Sequence, residues 1–141
     1  MKVARHRTFS GLSRALRKHG DNVVENATKS IQDAAIFGYN TLIFITPIDT
    51  GRARVSWTIS FGAPVDGDVG PGKYPNSAPY VSRAVSTIKA WQLVNGSLFI
   101  SNSVPYIEEL DKGHSVQAPN GFTVQAVESI QKVLRTARLL S

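Results

Sequence analysis

Asp49-Thr50-Gly51 is the stretch of this chain with the plainest capacity for chemistry. The same triplet carries the catalytic carboxylate of aspartic proteases. In the retroviral type each subunit of a dimer contributes one triplet, an arrangement open to a chain of this length. Two such carboxylates share a proton, so one of them must stay protonated. Here Arg52 follows the triplet, and a cation at that place holds a carboxylate ionised. The apolar strand that should precede the triplet is replaced by a helical pattern and by Pro47. A structural reading is therefore favoured. Pro47 cannot continue a helix and biases Thr46 away from the α region. Asp49 and Thr50 can accept hydrogen bonds from nearby backbone amides, and Gly51 can take positive φ. On this reading Pro47, Asp49, Thr50 and Gly51 form an elbow that turns a helix into a sheet edge.

Other residues with chemical potential are few. His114 stands near Glu108, Glu109 and Asp111, types that ligate metals. A metal site needs ligands that converge on one point, and these four lie on one short turn with no partner cluster elsewhere. They read instead as an acidic patch facing solvent or a neighbouring subunit. Gly70-Pro71-Gly72-Lys73 echoes a phosphate-binding loop but lacks its spacing, the following Ser or Thr, and the strand–loop–helix frame. His6 and His19 lie among basic residues. There is no cysteine, which excludes disulfides and thiolate metal sites. No nucleophile motif, cofactor fingerprint or paired catalytic acids are evident, so the expectation is a protein without catalytic residues, cofactor or metal.

The net charge of +6 has a definite location. Lys2, Arg5, Arg7, Arg14, Arg17 and Lys18 all precede Asp21, the first acid; the remainder of the chain holds ten basic and ten acidic residues. A basic arm of this kind is a candidate contact for DNA or for an acidic neighbour. No apolar run approaches the roughly 18 residues of a membrane span, and no apolar segment follows the basic start, so neither a membrane anchor nor a signal peptide is expected. With 42% hydrophobic residues in 141, the chain has the composition of one globular domain.

The elements that would position these residues follow from hydrophobic period. Phe9 to Lys18 reads as a short helix ended by Gly20. Asn22 and Glu25 form a capping-box pattern, and Val24, Ala27, Ile31, Ala34, Gly38, Leu42 and Ile45 then recur at helical spacing. Small residues at Ala34, Ala35 and Gly38 invite close packing of another element of the same domain. Arg54 to Phe61 alternates like a strand, with Val55, Trp57, Ile59 and Phe61 on one face. Residues 62–76 are rich in Gly and Pro and form a long loop, expected to order only against a neighbouring subunit. Ser77 and Pro79 open a helix with Val81, Ala84, Val85, Ile88 and Trp91 on one face. Asn95-Gly96 marks a turn, and Leu98 to Asn102 reads as a second strand pairing with the first. Tyr106 to Leu110 allows a turn or two of helix stopped by Gly113. A loop through Pro119-Asn120-Gly121 leads to a last helix over residues 122–138, with Val127, Ile130, Leu134 and Ala137 inward. The expected fold is α+β: a small antiparallel β-sheet packed against a long N-terminal helix and a C-terminal helix, with a long loop insertion. Residues 1–20 form a basic arm with a short helix, and residues 21–141 a single domain.

Two blocks together resemble the HK97 gp10-like family of tailed-bacteriophage neck and tail proteins. One is Thr46 to Arg54, which closes a long helix and precedes an alternating strand with Trp57. The other runs Leu98-Phe99-Ile100-Ser101-Asn102-Ser103-Val104-Pro105-Tyr106, then Glu109 to Ser115, then Gln117-Ala118-Pro119-Asn120-Gly121-Phe122. The resemblance covers about Ala27 to the C-terminus, and the second block is the more specific. Ile107 stands where the family often has Ala, and Asp111 where it often has Glu followed by an aromatic residue. The resemblance implies a virion structural protein, a tail completion, tail terminator or head–tail joining protein, in a sixfold ring. Its partners would be its own copies, other neck proteins and the tail tube protein, with candidate contact to packaged DNA; its location would be the virion, and host cytoplasm during assembly. A ring built from one chain pairs two different patches of the same subunit. The expected pairing sets the basic arm, or Arg52 and Arg54, against the acidic surface at Glu108, Glu109 and Asp111. The competing readings are a small nucleic-acid-binding domain using the basic arm, and the dimeric aspartic protease.

Overall fold

The computed structural model describes residues 9–112 and 121–137, with side chains from Ser13 onward. The fold is α+β. A helix α1, Phe9–Ile45, is followed by a one-turn helix α2, Arg52–Val55, and a strand β1, Thr58–Phe61. Helix α3, Ala78–Lys89, leads through a 3-10 turn, Leu93–Asn95, to strand β2, Leu98–Ser101; helices α4, Ile107–Asp111, and α5, Thr123–Thr136, complete the order.

Helix α1 corrects the expected break. It runs unbroken for 37 residues through Gly20, Asn22 and Glu25. Gly20 is not among the glycines with positive φ, so it lacks the left-handed geometry by which a glycine terminates a helix. An interior glycine weakens a helix by about 1 kcal/mol relative to alanine, a cost that does not end it. The boundary drawn between residues 20 and 21 therefore falls inside one helix.

The body forms around the second half of α1. Ala34, Ala35, Tyr39, Leu42 and Ile43 are buried there. Ala35, Tyr39 and Ile43 pack with Ala84 and Ile88 of α3, and Ile59, Leu98 and Ile100 of the sheet close over them. Leu42 packs with Phe122 and Ala126 at the start of α5. The small residues serve the purpose expected of them: a Cβ on Gly38 would stand 2.5 Å from Ile130 Cδ1 of α5, so α1 and α5 meet closely at that point. Gln32 Nε2 donates to the Trp91 carbonyl at 2.7 Å and ties the end of α3 to α1.

The sheet is a two-stranded antiparallel pair with Ile59 opposite Ile100 and Phe61 opposite Leu98. Pairing of the two predicted segments is correct, but β1 is shorter than expected. Arg52–Val55 is helical because Gly51, at φ 89°, turns the chain into a helical turn that buries Ala53 and Val55.

Candidate functional site

The elbow is built by backbone. Helix α1 ends at Ile45, and its last carbonyls lack helical partners. Arg54 meets that need: its Nη2 donates to the carbonyls of Thr46 at 2.9 Å and Phe44 at 3.2 Å. Buried Thr46 donates its hydroxyl to the Leu42 carbonyl and accepts from Trp57 Nε1 at 2.8 Å. The Trp57 ring stands edge-on to Phe122, with centroids 5.8 Å apart. Thr50 Oγ1 accepts from the Arg52 amide, as expected of the turn. Asp49 does not cap: its exposed carboxylate takes part in no hydrogen bond among the described residues. The Thr50 carbonyl accepts from the Tyr74 amide at 2.7 Å, and a Cβ on Gly51 would lie 2.1 Å from the Tyr74 carbonyl oxygen. No residue with a side chain fits at Gly51 without moving that strand of loop.

Residues 62–76 lie on their own chain, and not only against a neighbour as expected. Arg52 grips Asp68 through two of its guanidinium nitrogens, Nε to Oδ1 at 2.9 Å and Nη2 to Oδ2. The hydrogen-bonded Arg52 holds the Asp68 carboxyl below the usual carboxylate range, assisted by the Gly70 amide. Ser103 Oγ donates to Asp66, the Val69 amide donates to Ser56 Oγ, and the Tyr74 hydroxyl reaches the Val69 and Gly70 carbonyls. Arg52 also lies 5.7 Å from the centre of the Tyr106 ring.

Asp111 has a comparable internal task. Its Oδ1 accepts from the amides of Phe122 at 3.0 Å and Thr123 at 2.8 Å, the open donors at the start of α5. Burial raises its pKa, and the amide hydrogen bonds outweigh that effect, leaving the carboxyl below its ordinary value. Gly121, at φ 83°, brings its backbone so near that a Cβ would be 2.4 Å from the Asp111 carbonyl oxygen. The acid of one motif segment and the glycine of the next thus close one turn. That role was hidden from sequence reading because eleven residues separate the cap from the helix.

Of the proposed interface residues, Arg52, Arg54 and Asp111 are therefore engaged within the chain, while Glu108 and Glu109 are exposed on α4. Arg14, Arg17 and Lys18 are exposed on the first turns of α1. Lys2, Arg5, Arg7, His6 and His114 lie outside the described residues. Among the described residues no group of three metal-ligating side chains converges, and no helix is long and apolar enough to cross a membrane.

Two surfaces were not anticipated. In the first half of α1, Arg17 to Asn26 are all exposed, including Val23 at 54%, with Asp21, Val24, Glu25 and Asn26 bordering a concavity shared with Lys89 and Gln92. Along the second half of α1, a cleft of about 770 Å³ opens between α1, α5 and the sheet. Leu42, Trp91, Leu98, Val127, Ile130 and Leu134 line it, with Ser97 and Thr123 among its few polar contributors. The hydrophobic period of α5 revealed an inward face, but not that this face would remain partly uncovered. Comparison with models of protein families, with curated proteins and with solved structures finds no match for this chain.

Proposed function

We propose that this chain is a structural subunit of a tailed-phage or prophage virion that assembles into a ring at the head–tail junction or the head-proximal end of the tail. The observation that carries the reading is the incomplete cover of the subunit. Among the described residues, ten successive positions of the 37-residue helix, Arg17 to Asn26, are exposed, and a large apolar cleft is left open on the same chain. Such features are stabilised when neighbouring subunits cover them. The resemblance in the two motif blocks supports the same reading. In each block, the residues that carry it perform architectural work: Gly51 and Thr50 at the elbow, Asp111 and Gly121 at the start of α5. Opposite charges also lie apart, with Arg14, Arg17 and Lys18 on the projecting helix and Glu108 and Glu109 on α4.

The test is direct. Purified protein imaged by negative stain should show closed rings of uniform subunit number, with a matching mass by light scattering. Particles no larger than a monomer at every concentration would contradict it. The exposed bases of α1 favour one second reading, a nucleic-acid-binding domain. Binding to duplex DNA that weakens steeply with salt, by protein that forms no rings, would select it.

A further inference from the structure

We propose that the apolar cleft of one subunit receives the projecting half of α1 from the next copy, so that the ring is closed by a helix laid in a groove. This inference rests on the ring reading above and specifies its contact.

Both partners of the contact are present on one chain. On the projecting helix Leu16, Gly20, Val23 and Ala27 follow one another at steps of four, three and four, which places them on one face. Leu16 and Val23 are 49% and 54% exposed, a high proportion for apolar side chains aligned on one stripe. Arg14, Lys18, Asp21 and Glu25 fall on the opposite side, so this part of α1 is amphipathic, and among the described residues its Leu16 and Val23 stay exposed. An amphipathic helix with anchors at this spacing is the form of ligand that apolar grooves take.

The cleft fits in length and in charge. The stripe from Leu16 to Ala27 covers eleven residue steps, about 16 Å of helix. On α5 the cleft is lined from Thr123 to Leu134, again eleven steps and about 16 Å. Glu108 and Glu109 are exposed on α4, whose last residue, Asp111, caps α5 at the Thr123 end of the cleft. Arg14, Arg17 and Lys18 stand at the leading end of the stripe. Laying the basic end toward Thr123 brings Arg17, on the flank of the stripe, toward Glu108 and Glu109. The contact is heterologous, using different patches on the two copies, and therefore propagates until it closes.

The absence of cysteine makes a clean test. Val23→Cys and Ile130→Cys replace one residue on the stripe and one on the cleft wall, each seven steps from the end at which Leu16 meets Thr123. Mixed under mild oxidation, the two variant chains should give a disulfide-linked pair that neither forms alone. The chain bearing both substitutions should give a ladder ending at the ring. Separately, Leu16→Glu with Val23→Glu should keep the helical circular dichroism and abolish rings. Rings of the unsubstituted protein with no mixed cross-link, or rings that survive the two glutamates, overturn the contact and leave the ring reading standing. A cross-linked chain of open length without closure keeps the contact and removes the ring. Monomer without cross-link at any concentration removes both. Efficient disulfide pairing by Val23→Cys alone would mean that projecting helices pair with each other, and would also overturn the proposal.

Discussion

Tyr39 sets a phenol in the centre of the body with its side chain fully buried, and its hydroxyl has no hydrogen-bond partner among the described residues. Burial pushes its pKa up to about 12, because the phenolate would be stranded in an apolar site. The native state then holds the proton more tightly than the unfolded chain. The associated stability is complete below the unfolded value near 10 and is lost as pH rises toward 12. Tyr39→Phe should leave stability at neutral pH unchanged or raise it by about 1–3 kcal/mol, since it removes an unpaired buried polar group. It should also flatten the loss of stability between pH 10 and 12, as read from denaturant midpoints. A large loss at neutral pH would show that the hydroxyl has a partner. Asp111 behaves in the opposite sense. Its lowered pKa means that its contribution is present above the unfolded carboxyl value and is lost as pH falls through the folded one. Asp111→Ala should cost about 0.5–2 kcal/mol at pH 7, as loss of a helix cap does. The difference from the unsubstituted protein should shrink under acid. An equal difference at pH 7 and at pH 3 would refute capping by the carboxylate.

At the level of elements, α1 has two regimes. Its second half is held by α3, α5 and the sheet, whereas the ten residues from Arg17 to Asn26 bury no side chain against the described residues. Isolated helices of such length are marginal in water. Gly20 has open space around its Cα, so alanine there introduces no clash. Gly20→Ala should stabilise the projecting half by about 0.5–1 kcal/mol. In dilute protein, hydrogen exchange should slow over residues 13–26 and stay unchanged at Ile88 in α3. Equal exchange in both proteins would mean that this segment is not helical in solution. Much of the element order was legible because the apolar period is strong in α1, α3 and α5. The misreadings share a physical cause. Gly20 and the Asn22–Glu25 pair looked like punctuation, yet a cap signal acts only where the chain leaves helical geometry. The alternation at Arg54 to Phe61 was real only from Thr58 onward. Before it, Gly51 sets a helical turn, and Arg54 uses that turn to reach back to the open carbonyls of α1.

For the molecule as a whole, the sequence announced where charge lies but not which charges are free. Arg52 and Asp111 looked like halves of a contact between subunits. Each is engaged within its own chain, through partners sixteen and at least eleven positions away. Sequence spacing carries no signal for such tertiary hydrogen bonds. The residues left over for assembly are the basic leading turns of α1, the acids Glu108 and Glu109, and the apolar cleft that α5 and the sheet leave open. We propose that neighbouring copies cover these surfaces, and the functional reading stands on that proposal. Its most direct test is the mass and outline of the purified, unsubstituted protein, by light scattering and negative-stain imaging across a concentration series. The account predicts closed rings of a single subunit number; a monomer at every concentration would contradict it.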